Sequence, residues 1–450
     1  GGGFGNKQEV LYEPLNAFLT MQVGGRPVKI ELTREETFTN TRTRHSIEYD
    51  MEAGVDAEGH LLAKEMTTYS NQGAYASHGH AIAANGLTAS RLQYACPNIR
   101  GEAYTVYTNC PTAGAMRGYG IPQVCFATES FMDDIAYEIG MDPLEFRRKN
   151  LIHGYYEDAY LKPIAANTNG IFECLEKGAE YIHWDEKRKA YQNQTGDIRR
   201  GVGMALFSYK TGVWPISLEI AGARLSLNQD GSVQLQVGAT EIGQGADTVF
   251  SQMAAETLHM DISRVHIVTQ QDTDVTPFDT GAYASRQSFV TGTAVKECAQ
   301  QLKQKILEYA RTLVPGNVDR LELEDGYILA DGKPAISLED LAMESYYSLS
   351  NSSVLTAEVS RQVKKNTVAS GCCFAEVEVD MKLGKIKVLD IVNVHDSGTL
   401  LNPQLAAMQV HGGMFMGIGY GVSEQLLIDE KTGRPLNGTL LDYKMMTMMD

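Results

Sequence analysis

Three segments of this chain alternate apolar and polar residues, reverse through a glycine-containing turn, and alternate again. "HSIEYDMEAGVDAEGHLLAKEM" alternates up to Val55, turns through Asp56–Gly59 and resumes. "ARLSLNQDGSVQLQVG" sets Leu225 and Leu227 against Val233, Leu235 and Val237 around Asp230–Gly231, and "FAEVEVDMKLGKIKVLDIVNV" does the same around Leu383–Gly384. A period of two with a turn at its centre predicts antiparallel hairpins. Helical periods lie between them. In "QVCFATESFMDDIAYEIG", Val124, Ala127, Phe131 and Ile135 fall on one face and Gly140 stands at the C′ position. "DPLEFRRKN" offers Asp142 as N-cap, Pro143 in the first turn and Glu145 at the capping-box position, and "GTAVKECAQQLKQKILEYARTL" continues a long helix. Strict strand–helix–strand alternation is missing, so the expected class is α+β: mixed domains of antiparallel hairpins and packed helices.

A chain of 450 residues exceeds one ordinary domain. The stretch from about 165 to 200 ends in charged and polar residues before "GVGMALFSY" opens a new apolar segment, so a boundary is expected near 195. That gives two large domains, 1–195 and 196–450. The first residue is a glycine inside a turn rather than a methionine, and the chain is expected to be a part of something longer.

A net charge of −17 argues against nucleic acid or an anionic membrane as the main partner. No run approaches 18 uninterrupted apolar residues, which predicts no membrane-spanning helix. Seven scattered cysteines, with Cys372 and Cys373 adjacent, suggest free thiols in a reducing, cytoplasmic compartment.

Glycine-rich loops carrying polar residues recur. The chain opens on "GGGFGNKQ", and "NCPTAGAMRGYGIPQ" (109–123) runs into a helix. "GATEIGQG" (238–245) follows the second hairpin, "TGAYASRQSFVTG" (280–292) precedes a helix, and "DSGTLLNPQLAAMQVHGG" follows the third hairpin. None fits a phosphate loop or a dinucleotide fingerprint; in "GGGFGNKQ" the third glycine would fall on Asn6, and in "GVGMA" on Leu206. Together they suggest a large polar ligand held by backbone and side-chain amides at loop junctions. HExxH, CxxC, GxSxG and EF-hand patterns are absent from the sequence. His78-Gly79-His80 reads as a polar loop, Asp133–Asp134 as a solvated helix face, and "DTDVTPFD" (272–279) as a loop. Arg117 stands apart, between Met116 and Gly118-Tyr119-Gly120 with no acid close in sequence. A structural pairing with a distant carboxylate and a functional role are both open for it.

Taken in order, "GGGFGNK", "AMRGYGIPQ", "GATEIGQG", "ASRQSFVTG" and "MQVHGGMFMGIG" resemble the molybdenum-binding subunit of the xanthine dehydrogenase/aldehyde oxidoreductase family. The likeness runs along essentially the whole chain and is strongest to the bacterial multi-subunit purine hydroxylases. It implies a molybdopterin cofactor with molybdenum, the cytosine dinucleotide form left open, and [2Fe-2S] clusters and FAD on partner subunits or domains. The metal's ligands then come from the cofactor, and the protein supplies only contacts around it. The resemblance places Phe4 and Gly5 beside the metal centre, with Gly3 among the cofactor contacts. It places Ile242, Gly243, Gln244, Ser285 and Gln409 against the pterin, and Arg117 where a cation steadies charge developing on the substrate.

The reaction implied is hydroxylation of an electron-poor ring carbon with water as oxygen source: a purine first, nicotinate or another N-heterocycle second. An aldehyde oxidoreductase and a cofactor-free scaffold are the other readings. Two positions depart from the family pattern. The purine-orienting glutamate falls on Gln8, which cannot ionise, and one wall of the aromatic sandwich falls near Val213–Trp214. The family's catalytic base, a glutamate in a Gly-Glu-Pro-like turn, is expected beyond Asp450. Glu424 in "YGVSEQLL" is rejected because it precedes "GTLLDYKMMTMM", read as strand-like. An iron–sulfur subunit, a FAD subunit and the remaining part of the molybdenum subunit are the expected partners.

Overall fold

A computed structural model describes residues 3–157, 163–165, 170–316 and 318–449. Gly1 and Gly2 of the first glycine loop, and residues 166–169 of the polar stretch, lie outside them. The chain divides into two compact units, one made of Thr211–Thr367 with Thr399–Ala406, the other of Gly3–Lys210, Val368–Gly398 and the residues from Ala407 onward. Helices and mixed sheets fill both, as the α+β expectation has it.

The larger unit contains the first and third hairpins. Ile47–Val55 pairs antiparallel with Leu61–Gly73, and Asn98–Tyr107 adds a parallel third strand. Thr367–Asp380 pairs antiparallel with Lys385–Asp396, with Ile198–Thr211 on its other side. The core joins Leu61, Met132, Phe146, Leu175, Ile182, Leu206, Cys372 and Phe374.

In the Ile121–Glu138 helix the buried stripe is Val124, Thr128, Met132 and Ala136. It is turned by one position from the expected face, leaving Phe131 and Ile135 at its edge. The cause is a polar group the periodicity hid. Glu129 is buried beside the stripe and accepts from Tyr94 Oη (2.8 Å), Arg147 Nε (2.8 Å) and the Leu206 amide (2.9 Å). Asp133 is drawn into the same cluster, 2.6 Å from Arg147 Nη1, and is therefore not a purely solvated residue. Asp142 caps Pro143–Asn150 as expected, accepting from the Leu144 and Glu145 amides. Glu145 does not complete a capping box; it pairs with Arg148.

The smaller unit is built on the second hairpin. Ile220–Leu227 and Val233–Val237 are the middle strands of a four-stranded sheet, flanked by Thr356–Gln362 and Val265–Ile267. Leu225, Leu227, Val233 and Leu235 are fully buried, packed with Val295, Cys298 and Leu302 of the Gln287–Leu313 helix and with Phe250 and Leu258 of Ala246–Leu258. The stretch 438–449 is not a strand. It runs as turns and irregular chain, with the Tyr443 ring against Phe38 at 5.3 Å and its hydroxyl on Glu424 at 2.8 Å. No disulfide forms among the described cysteines, and no described helix is long and apolar enough to cross a membrane.

Candidate active site

Within the larger unit three of the glycine loops meet. Phe4 and Gly5 adopt φ of +54° and +92°, two left-handed residues in succession. A Cβ on Gly5 would lie 3.2 Å from the Ala115 backbone, so the first loop is laid directly on the second. Gly3 and Gly5 present bare backbone on either side of the half-exposed Phe4 side chain, and Gln8 is exposed at the end of the turn. The second loop has three left-handed residues running, Gly118 (+98°), Tyr119 (+48°) and Gly120 (+91°), before the helix starts at Ile121. Such clustering costs of order 1–3 kcal/mol per strained non-glycine residue and is characteristic of functional loops.

Arg117 sits at the head of that run. Arg44 Nη2 holds its carbonyl at 2.7 Å. Its side chain donates from Nη2 to the Gln409 carbonyl at 2.8 Å, with Gln409 Oε1 farther off at 3.5 Å. The guanidinium lies along the Pro403–Val422 helix, where a Cβ on Gly412 would come within 3.2 Å of Nη1. Of the two readings open for Arg117, the carboxylate pairing is not found among the described residues. Burial lowers its pKa from the ordinary arginine value, and a guanidinium remains charged at neutral pH regardless.

Within the smaller unit, the "GATEIGQG" loop differs from expectation in how its amides are spent. The Glu241 carboxylate accepts from the Gly243, Gly245 and Asp247 N–H groups at 2.6, 3.1 and 3.2 Å. Burial pushes its pKa up, but the backbone donors outweigh that and the net shift is downward. Gln244 is also turned inward: Oε1 takes the Ile242 amide (2.7 Å), while Nε2 donates to Thr240 O (2.9 Å) and Gln287 Oε1 (2.8 Å). The loop is therefore a rigid self-bonded turn rather than an open nest of N–H groups.

Ala284 and Ser285 are left-handed at +48° and +53°. Ser285 is exposed beside the fully buried Arg286, which donates to Glu219 (2.7 Å), Asp279 (2.6 Å) and the Ile220 carbonyl (2.7 Å). Glu219 also accepts from the Val213 amide at 2.6 Å, so one cation fixes both the Ser285 loop and the half-buried Val213–Trp214 turn. Neither Glu241 nor Arg286 was picked out from sequence. The readable signal was a lone acid or base inside a glycine loop, the same signal that singled out Arg117.

Among the described residues no group of three or more His, Cys, Asp or Glu is placed to ligate a metal. Three buried polar atoms without partners fall on the motif loops, Asn6 Oδ1 and Gln123 Oε1 in the larger unit and Thr280 Oγ1 in the smaller, with others elsewhere among the described residues. Buried polar atoms are seldom left unpaired in native proteins. In the larger unit, Asn6 Oδ1 and the left-handed backbone of Phe4 and Gly5 fit the edge of a polar cofactor.

Fold and site together describe a cofactor-seating protein, and comparison with known proteins gives the class. Family models described as molybdopterin cofactor-binding domain match residues 1–151 and 177–450, and the chain belongs to that family. It is 49% identical over 459 aligned positions to the xanthine dehydrogenase molybdenum-binding subunit of Escherichia coli O157:H7, an alignment covering 100% of this chain and 60% of that protein. It is 32% identical to "Probable hypoxanthine oxidase XdhD" of Escherichia coli K12, covering 98% of this chain and 46% of that one. Quinoline 2-oxidoreductase from Pseudomonas putida 86 shares the fold, with a TM-score of 0.88 at 24% identity over 100% of this chain and 59% of its own. The chain thus spans 60% or less of the length of these relatives.

Proposed function

We propose that these residues are the cofactor-seating portion of a molybdenum hydroxylase that oxidises a purine of the xanthine or hypoxanthine type, with water as oxygen source. The observation that carries this reading is Arg117: a half-buried cation on a strained glycine loop, tied to the helix by one nitrogen and free of any described carboxylate. When bound, the molybdenum cofactor supplies two-electron oxidation at a ring carbon. Phe4 and Gly5 are assigned to its metal end, Gly3 to the cofactor beside them, and Ile242, Gly243, Ser285 and Gln409 to its pterin. Gln244 is assigned to hold the Ile242–Gly243 turn in shape. Arg117 is assigned to face the charge that grows on the heterocycle, a preorganised contribution of roughly 3–4 kcal/mol. Val213 and Trp214 shape the substrate space. The names of the relatives support a purine; the uncharged Gln8 supports nicotinate as a second substrate, because a glutamate there would repel its carboxylate.

Partners are an iron–sulfur subunit, a FAD subunit and the remaining polypeptide of the molybdenum subunit, in the cytoplasm. Support for the remaining polypeptide is apolar exposure near residue 449: Leu436, Leu441, Met448 and Met449 are 63%, 76%, 96% and 93% exposed, side chains suited to being covered. The cytosine dinucleotide form of the cofactor belongs to the same proposal. The test is turnover of hypoxanthine, nicotinate and an aldehyde by the full-length protein with its partners in heavy-oxygen water. Label in a hydroxylated purine supports the reading. Turnover of the aldehyde alone, or product oxygen taken from dioxygen, contradicts it.

A further inference from the structure

Glu9, His78 and Tyr119 form an array inside the larger unit. The Glu9 carboxylate accepts from Ser77 Oγ and from Arg42 Nε. Burial opposes its ionisation, yet those two partners hold its pKa below the ordinary glutamate value. On its other side Glu9 Oε1 lies 3.6 Å from His78 Nε2. The other ring nitrogen of the same imidazole meets the Tyr119 phenol, Nδ1 to Oη 2.7 Å, with the rings edge to face at 5.7 Å.

A carboxylate beside Nε2 favours the tautomer with its proton there, which leaves Nδ1 as an acceptor. The phenol must then donate into it. Burial, with the charges of Glu9 and Tyr209, pushes the Tyr119 pKa up to about 12, so the proton is present to be donated. A hydroxyl has one proton and two lone pairs. With the proton committed to His78 and no other described bond to Oη, the phenol offers only acceptance to a ligand. Its backbone is fixed as well: φ is +48° between two left-handed glycines, and Asn85 Nδ2 holds its carbonyl at 2.9 Å. Tyr119 lies two residues from Arg117, and Glu9 follows Gln8 directly.

We propose that Tyr119 is a specificity-determining residue whose oxygen, set as an acceptor by the Glu9–His78 pair, selects heterocycles that carry a ring N–H. His78 and Glu9 are positioning residues that act through it. The inference rests on the heterocycle-hydroxylase reading above, so its test has one arm that does not depend on activity.

That arm is nitrogen NMR of the histidine-labelled full-length protein. The expected result is a His78 Nδ1 without a proton and an Nε2 with one, the preference weakening in Glu9→Gln. A proton on Nδ1 would overturn the proposal. The second arm compares hypoxanthine with its ring-N-methylated analogue in the assembled enzyme. Tyr119→Phe should raise KM for hypoxanthine about tenfold, the value of one hydrogen bond. It should leave the analogue within about twofold and molybdenum content unchanged, and His78→Leu should narrow the same discrimination. Equal effects on both compounds, or no effect on either, would overturn it. A wild type that turns over neither compound refutes the purine reading, and the His78 tautomer then still reports on the array.

Discussion

Arg117 donates from Nη2 to the main-chain carbonyl of Gln409, 2.8 Å away, along a helix face kept clear by Gly412. The guanidinium is aimed by a neutral carbonyl, so its charge is not spent on a carboxylate. Arg117→Met should therefore leave molybdenum content intact and lower kcat/KM for purines by roughly a hundredfold or more, the scale of one preorganised charge contact. Metal analysis and kinetics on the same preparation check this; molybdenum falling in step with activity would assign the residue a structural role.

Gly412 offers a separation of stability from function. Gly412→Ala raises helix propensity by about 1 kcal/mol, while its Cβ would sit 3.2 Å from Arg117 Nη1 and push the guanidinium aside by a few tenths of an ångström. The expected outcome is an equal or higher melting temperature with reduced purine turnover. Unchanged turnover would show that the position of Arg117 does not matter.

Gln8→Glu tests the substrate boundary. Like charges about 4 Å apart repel by on the order of 4 kcal/mol at an effective dielectric near 20. The variant should disfavour nicotinate far more than a neutral purine, measured as the ratio of the two kcat/KM values. An unchanged ratio would remove Gln8 from the ligand's surroundings.

Glu241 predicts a pH dependence. Its folded pKa is depressed, so its contribution is present above the unfolded glutamate value and disappears as pH falls through the lower folded one. Asp247, raised by burial and by the Glu241 charge, works in the opposite sense. Glu241→Gln should cost about 1–2 kcal/mol at neutral pH, a capping-scale loss, and the gap from wild type should close on acidification. Melting curves across acidic pH measure it; a gap that widens toward low pH would contradict the assignment.

The hairpins were legible because Leu225, Val233 and Leu235 are buried with a strict period of two, and Asp142 because an N-cap is a local device. The stripe on Ile121–Glu138 was displaced because Glu129 meets Tyr94 and Arg147, contacts formed only by tertiary packing. The strand expected at 438–449 failed for a related reason: apolar composition alone does not supply a neighbouring strand. At the candidate site, glycine clustering showed where left-handed backbone gathers. It could not reveal that Glu241 and Gln244 satisfy their own loop, since bonding direction is absent from composition.

The central claim is that these loops seat a molybdenum cofactor, and metal and pterin analysis of the full-length protein tests it most directly. The account predicts close to one molybdenum per chain, with a fluorescent pterin released on oxidative denaturation, as expected where the cofactor carries the chemistry and the protein supplies its binding. Folded protein, isolated from cells supplied with molybdate and competent in cofactor synthesis, that holds neither molybdenum nor pterin would contradict it.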